Sequence, residues 1–303
     1  MIGGPGRVTL RQLRYFEAVS RHLHYGRAAS ECAVSQPSLS VQIQDLEQAL
    51  NATLIERSRS GIKLTAEGEE VARRARRILA EVNDLADATR HGDRLLSGTL
   101  HFGIIPTVAP YLLPPLLPHL QETFSELKLH VRETQTATLM TELADGKLDV
   151  VLVALPIAAR DIDVLQLFDD RFLLGVPPGY KIGRKLKAGP ELFGAEQLLL
   201  LEEGHCLRDQ ALSYCQLRQV GSVNTFGAST LSTLVRMVAN GHGITLIPEI
   251  AIRTEVARGE VQLLRLDDPS PQRSLGLVWR KSSPRKRDFA ELGRQITSFK
   301  GKL

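Results

Sequence analysis

The chain is 303 residues long, 43% hydrophobic and 24% charged, with a formal net charge of +4. That length exceeds one ordinary core and suits two or three soluble globular domains. No signal-peptide pattern opens it, and its longest apolar run, VVLVALPIAA, is too short to span a bilayer; the expectation is a cytoplasmic protein, without a membrane segment, whose three cysteines form no structural disulfide.

Charge is unevenly spread. Up to Arg77 there are 12 lysines and arginines against 8 acidic residues, so the first quarter carries the whole excess. A polyanion contact is therefore expected near the N-terminus. From Thr9, the residues Leu10, Leu13, Phe16 and Val19 recur at every third position and predict a helix with one apolar stripe. A second short helix fits YGRAASECAV, where Ala28, Ala29 and Cys32 are small enough for close packing. In VSQPSLSVQIQDLEQAL, Ser35 is placed to cap a third helix, and Pro37 falls in its first turn, where a missing N–H costs little. Leu39, Ile43, Leu46 and Leu50 then step by four, three and four and predict its buried face. Gln36, Ser38, Ser40, Gln42 and Gln44 lie off that face, as short polar groups suited to base edges and phosphates. Two helices of this kind joined by a tight turn make a helix-turn-helix.

The next stretch, ATLIERSRSGIKLT, alternates and turns at Ser60-Gly61, as a two-stranded wing would, with Arg57, Arg59 and Lys63 within reach of a phosphate backbone. A long helix follows from Thr65, with Glu67, Glu69 and Glu70 at its start, where the helix dipole favours acids. Val71, Ala75, Ile78, Val82 and Leu85 form a short heptad seam on it, suited to pairing two chains over a two-fold DNA site.

These residues carry a resemblance. LRYFEAV, AASECAVSQPSLSVQIQDLEQAL, LIERS and LTAEGE make the first ninety residues similar to the winged helix-turn-helix and linker helix of the LysR-type transcriptional regulators. The resemblance implies double-stranded DNA as partner, with Gln36, Pro37, Ser38 and Ser40 at the major groove and Arg57 in the wing. Gln44 and Asp45 stand where many relatives place basic residues, which lowers the backbone affinity expected there.

After Gly98 the texture changes. TLHFGII, LKLHVRE, VVLVAL, FLLGV, LLLLE, ITLIPE and LGLVWR read as strands, with Leu127, Leu129 and Val131 alternating in the second, and helical stretches lie between them. Such alternation predicts parallel sheets flanked by helices. No glycine-rich phosphate loop, zinc-protease motif or nucleophile elbow is present. The family resemblance extends through this region and implies an α/β, Rossmann-like regulatory domain of two lobes, built like a periplasmic binding protein. The division expected is 1–65 for DNA binding, 66–97 for the linker and dimerisation helix, and 98–303 for regulation. Lobe I would take about 98–169 and 273–303 and lobe II about 170–272, the crossings falling near Asp169 and Gln272.

Two of the three cysteines sit in EEGHCLRDQALSYC, nine positions apart, at Cys206 and Cys215. A buried structural role, a zinc site with His205, and a redox pair all remain open to them; zinc is disfavoured because tight sites use closer cysteine spacing. A redox role is better motivated, since His205 and Arg208 stand beside Cys206 as candidates to stabilise a thiolate. Within the segment, CLRDQALSYC has no Gly or Pro and can be helical. On an intact helix the two cysteines would be roughly 13 Å apart and on opposite faces. A disulfide needs Cα atoms within roughly 7 Å, so oxidation would have to refold the segment. Cys32 reads as a packing residue inside the helix-turn-helix.

GHCLRDQ with its second cysteine, together with IIPTVAPYLLP, QTATLM, NGHGITLIP and SLGLVWR, resembles the peroxide-sensing OxyR subfamily of LysR-type regulators. That resemblance implies Cys206 as the peroxidatic thiolate and Cys215 as the resolving one. It implies Thr107 and Thr136 as pocket hydroxyls, Asp209 as holder of a proton-transferring water, and His205 and Arg208 as pocket walls, with Arg273 a weaker match. It further implies hydrogen peroxide as signal, a homotetramer acting with RNA polymerase, reduction by a cellular thiol system, and neither cofactor nor metal. The alternatives are a regulator of the same family answering to a metabolite between its lobes, and a thiol peroxidase that turns over.

Overall fold

The structure is a computed structural model, and it describes residues 8–58, 61–90, 94–181, 193, 196–217, 225–256, 259–267 and 269–299; the side chains of 57, 58, 86–90, 215–217 and 225 lie outside that description. The chain forms two compact units, one built on Met1–Arg90 with Ala144–Lys147 and the other on His91–Leu143 and Leu148–Leu303. No helix among the described residues is long and apolar enough to cross a membrane.

The first unit opens with α1 (Leu10–His22), α2 (Tyr25–Glu31) and α3 (Gln36–Leu50). Thr9 and Gln12 close a reciprocal capping box at the start of α1, and Leu23 ends it in the left-handed region. Phe16 and Val19 are fully buried with Leu13, Leu39, Ile43 and Leu46 in one core, joined by Ala28 and Ala29 of α2. Burying each large apolar side chain contributes about 1.5–3 kcal/mol. Two expected core residues fall outside it: Leu10 is 48% exposed and Leu50 38% exposed. Each is a terminal residue of its helix. The helices are followed by the antiparallel pair β1 (Ile55–Ser58) and β2 (Gly61–Leu64), whose register ends with Ser58 opposite Gly61; Arg59 and Ser60 of the expected turn lie outside the described residues. The hydroxyl of Thr65 then accepts the Gly68 N–H at 2.9 Å and caps α4 (Ala66–Arg90). On α4, Ala72 and Ala75 are buried within the unit, while Ile78, Val82 and Leu85 stay exposed.

The second unit begins with β3 (Gly98–Ile104), α5 (Ala109–Thr123), β4 (Leu127–Glu133), α6 (Thr136–Ala144) and β5 (Val150–Leu155). β3 pairs in parallel with both β4 and β5. α5 buries Tyr111, Leu112, Leu116 and Leu120, and its prolines at 114, 115 and 118 fall on the solvent side. β6 (Ile162–Val176) is longer than expected and fuses the FLLGV run to the strand before it. Its first part pairs antiparallel with β11 (Gln272–Arg280), which also pairs antiparallel with β5. Its last part pairs antiparallel with β9 (Thr245–Pro248) and β10 (Gln262–Leu264). The β6–β11 register ends at Arg171 opposite Gln272, so one strand passes from the first sheet region into the second. The expected parallel sheets are thus mixed, because β6 and β11 run antiparallel to their neighbours and β6 continues on to β9 and β10.

The second lobe holds β7 (Leu198–Leu201), α7 (Cys206–Leu217), β8 (Thr225–Ala228), α8 (Leu231–Ala239) and α9 (Glu249–Glu255). β7 and β8 are parallel partners, and Thr245 donates its hydroxyl to Leu199 O at 2.7 Å, tying β9 to β7. β8 and β10 lie outside the apolar runs that mark strands in the sequence. The chain ends in α10 (Lys286–Phe299), whose Phe289, Leu292 and Ile296 return to the first lobe's core. Buried Arg285 pairs with Asp288 and donates to Ser97 O and Thr99 O, while Asp288 accepts the Leu96 N–H at 3.1 Å. That cluster fixes the start of the second unit against its last helix.

Candidate functional site

The outward face of α3 is built by what the inward face excludes. With Leu39, Ile43 and Leu46 in the core, Gln36, Pro37 and Ser38 are exposed and Ser40 is half-buried. The Ser35 hydroxyl accepts the Ser38 N–H at 3.3 Å, setting the helix start where anions are favoured. Glu47 accepts from the N–H groups of Leu54 (2.7 Å) and Ile55 (3.1 Å), which locks the wing onto α3. Lys63 is exposed in β2, opposite Glu56. Arg57 lies in β1, but its side chain is outside the described residues. Sequence reasoning passed over Glu47. Burial pushes the Cys32 thiol up, as suits the packing role expected of it.

The second candidate site surrounds α7. Cys206 is its first residue, is half-buried, and carries a free thiol. Unpaired N–H groups and the helix dipole favour negative charge at that end of a helix. α7 continues without a break to Leu217, so Cys206 and Cys215 stand nine positions apart on one helix, or roughly 13 Å; the Cys215 side chain lies outside the described residues. Leu207, Ala211 and Tyr214 form the buried face of the helix. His205 is 9% exposed, and burial lowers its pKa against a smaller opposing effect of Glu202. A neutral imidazole can donate or accept a hydrogen bond but brings no positive charge. Arg208 is half-buried and spends one N–H on Leu201 O at 3.1 Å, while Asp209 is exposed in the first turn of α7.

Thr136 opens α6, and its hydroxyl oxygen is buried with no hydrogen-bond partner among the described residues. The preceding residue ties it to the cysteine loop: Gln135 donates its amide to Glu203 O at 3.3 Å. Gly204, at φ +89°, packs so closely against the Gln135 amide that a Cβ there would collide with it. The other threonine, Thr107, is 3% exposed and sits between β3 and α5. Its hydroxyl accepts from Arg273 at 2.7 Å, and its carbonyl accepts a second guanidinium N–H at 3.1 Å. Arg273 is fully buried, lies over the Phe172 ring, and is neutralised by Asp170, which accepts its Nε–H at 2.9 Å. Removing either charge would leave the other buried alone, at about 3–5 kcal/mol.

The expected residues therefore fall into two groups. Thr107 and Arg273 are joined directly; Thr136 is linked through Gln135 to the loop that presents His205, Cys206 and Arg208. Asp170 was missed by sequence reasoning, although a signal existed. Phe168, Asp170 and Phe172 are the buried phase of β6, and an acid in step with two buried aromatics demands a buried partner.

Two family models match the chain. The bacterial regulatory helix-turn-helix protein, lysR family, covers residues 10–69, and the LysR substrate binding domain covers 93–298. The DNA-binding transcriptional dual regulator OxyR of Escherichia coli K12 is 39% identical over 289 residues, 95% of each chain. Among solved structures, a full-length cysteine-to-aspartate variant of OxyR from Pseudomonas aeruginosa superposes with a TM-score of 0.79 at 34% identity, covering 96% of this chain and 95% of that one. A cysteine-to-serine variant of Corynebacterium glutamicum OxyR with hydrogen peroxide bound gives 0.67 at 32% identity, covering 98% and 94%.

Proposed function

We propose a mechanism from one premise: the chain belongs to the LysR family of bacterial transcriptional regulators, in its peroxide-sensing OxyR branch. It is a DNA-binding regulator, not an enzyme, and its signal is hydrogen peroxide. In the reaction, the Cys206 thiolate attacks one peroxide oxygen, the O–O bond breaks, and the leaving hydroxide is protonated to water. Cys206 is left as a sulfenic acid. The Cys215 thiolate then attacks the Cys206 sulfur, a second water departs, and the pair has given two electrons to one peroxide.

The observation that carries this reading is the intact helix between the two cysteines. A disulfide needs Cα atoms within roughly 7 Å, and a spacing of nine helical positions holds them nearly twice as far apart. Oxidation must therefore break α7, which gives the regulator two discrete states set by a covalent event. The partnerless buried hydroxyl of Thr136 supports a polar ligand beside Cys206, since leaving such a group unpaired costs about 1–3 kcal/mol. In this reading Thr107, held by Arg273, and Thr136 orient the peroxide. His205 contributes a neutral hydrogen-bonding ring, Arg208 shapes the wall, and Asp209 holds a water for proton transfer.

On the DNA side, Gln36, Pro37, Ser38 and Ser40 meet base edges and phosphates, and Arg57 reaches the backbone from the wing. The exposed stripe of Ile78, Val82 and Leu85 on α4 supports pairing of two chains, and four chains in a dimer of dimers would set the spacing of the reading heads. Reshaping that tetramer changes promoter contacts and the access of RNA polymerase. The setting is the cytoplasm, where a thiol reductant returns the disulfide to Cys206 and Cys215.

The test is thiol counting with peptide mapping after one equivalent of peroxide. Wild-type chain loses two thiols to a Cys206–Cys215 bridge and changes its operator footprint. Cys206→Ser abolishes both responses, and a footprint that still answers to peroxide in that variant sinks the assignment.

A further inference from the structure

The segment that carries Thr107 is held at two points, and both lead to one helix of the other lobe. At the first, Thr107 is gripped through its hydroxyl and carbonyl by Arg273. Arg273 is held by Asp170, whose other oxygen accepts the Ile250 N–H at 3.1 Å, in the first turn of α9. At the second point, one turn along the same segment, Tyr111 donates its hydroxyl to Glu255 Oε1 at 2.9 Å, at the last residue of α9. Ser232 of α8 donates to that same oxygen at 2.7 Å, so Glu255 is itself fixed within the second lobe.

Ile250 and Glu255 are five residues apart on α9, about 7.5 Å along its axis, and on the other segment Thr107 lies just before α5 and Tyr111 in its first turn. α9 follows β9 directly, and β9 is paired to the far part of β6, so the helix belongs to the second lobe. The first tie is shielded from water, Thr107, Asp170 and Arg273 all being less than 5% exposed; in the second, Tyr111 is buried and Glu255 is half-buried. Burial, followed by the nearby Glu255 carboxylate, pushes the Tyr111 hydroxyl far above its ordinary range, so it remains a donor. A buried polar tie is costly to leave half made, which favours α9 being fully seated or fully released.

We propose that Tyr111, Glu255 and Asp170 are positioning residues of the peroxide site, making the presentation of Thr107 conditional on the seating of α9 and hence on lobe closure. The proposal rests on the reading of Thr107 as a peroxide-orienting hydroxyl. A misplacement of about 1 Å in an orienting group is enough to slow a reaction substantially.

The test uses the full-length reduced chain and two reagents. Peroxide needs the oriented threonine, whereas iodoacetamide needs only a reactive, accessible Cys206 thiolate. Tyr111→Phe, which keeps the ring, should slow the peroxide reaction of Cys206 about tenfold while leaving alkylation unchanged. Glu255→Ala should behave like Tyr111→Phe, and Glu255→Gln, which retains an acceptor oxygen, should recover most of the peroxide rate. In a Thr107→Val background, Tyr111→Phe should have no further effect. Equal loss toward both reagents, or an additive loss on top of Thr107→Val, overturns the clamp. If Thr107→Val alone leaves the peroxide rate untouched, the reading of the threonine itself fails. If Thr107→Val slows the reaction and Tyr111→Phe does not, only the clamp is lost.

Discussion

The reading head and the sensing helix are built on opposite plans. In the head, almost every helix end is closed by its own sequence. Thr9 and Gln12 cap α1 reciprocally, Ser35 caps α3, Leu23 and Asn51 end the two helices in the left-handed region, and Glu47 ties α3 to the wing. Arg21 binds Glu17 and Glu31, joining α1 to α2 at the surface. In the sensor, the described contacts of α7 include the buried side chains of Leu207, Ala211 and Tyr214 and the bond from Arg208 to Leu201 O, and the buried Gln210 Oε1 finds no hydrogen-bond partner among the described residues. The contrast follows from the two tasks. A surface that reads DNA must keep its shape, whereas a helix that must break to form a bond is better held by few ties.

The largest effect expected from this contrast lies in the head. Leu39 is fully buried where α3 meets α1 and α2, and Leu39→Ala should cost about 2–5 kcal/mol through the cavity it leaves. Because the two units are separately packed, operator binding should collapse while peroxide still removes two thiols at the wild-type rate. Thermal unfolding with parallel thiol counting checks both halves. A matching loss of peroxide reactivity would mean that the units do not fold independently.

The contrast also explains what could be read from the sequence. Caps, apolar stripes and the proline at position 37 act over three or four residues, so the head was legible almost element by element. Its misses, Leu10 and Leu50, lie at helix ends, where periodicity continues but neighbours do not. In the regulatory unit the long strands were legible, but the fusion of FLLGV into β6 and its antiparallel pairing were not, because both depend on how distant strands meet. The site divides in the same way. Cys206, Cys215 and their neighbours lie within one motif, whereas the Tyr111–Glu255 bond joins residues 144 positions apart and leaves no trace in local pattern.

Acid should separate the two regions next. Burial lowers the pKa of His205, so the folded sensor binds its proton less readily than the unfolded chain. The stability this gives is complete above the ordinary histidine value near 6.5 and is lost as pH falls below it. In the head, hydrogen bonds from Arg21 and then His22 hold Glu31 down to about 2, from an ordinary 4.5. Its contribution persists above 4.5 and fades only between there and about 2; being at the surface, it is also small. Hydrogen exchange at pH 5.5 should therefore show α7 opening more than at pH 7.5, with α1 and α2 unchanged. Equal loosening of both would remove His205 as the cause.

The smallest effect tests the switch most directly. Ser213 is exposed in the interior of α7, so substitutions there change helix propensity without touching the core or either thiol. Ser213→Ala should strengthen the helix by about 0.5 kcal/mol, and Ser213→Gly should weaken it by a similar amount. If the helix must break before Cys215 can reach Cys206, formation of the disulfide should slow about twofold in the first variant and quicken about twofold in the second. The preceding step, peroxide attack on Cys206, takes place at the intact first turn and should be the same in all three proteins. Rapid mixing resolves the two steps, with a dimedone-type trap for the sulfenic acid and mass spectrometry for the bridge. Opposite shifts in the second step alone identify helix opening as the barrier. Identical second-step rates would mean that α7 is already open in solution when the sulfenic acid forms, and the sensor would then differ from the head in degree rather than in plan.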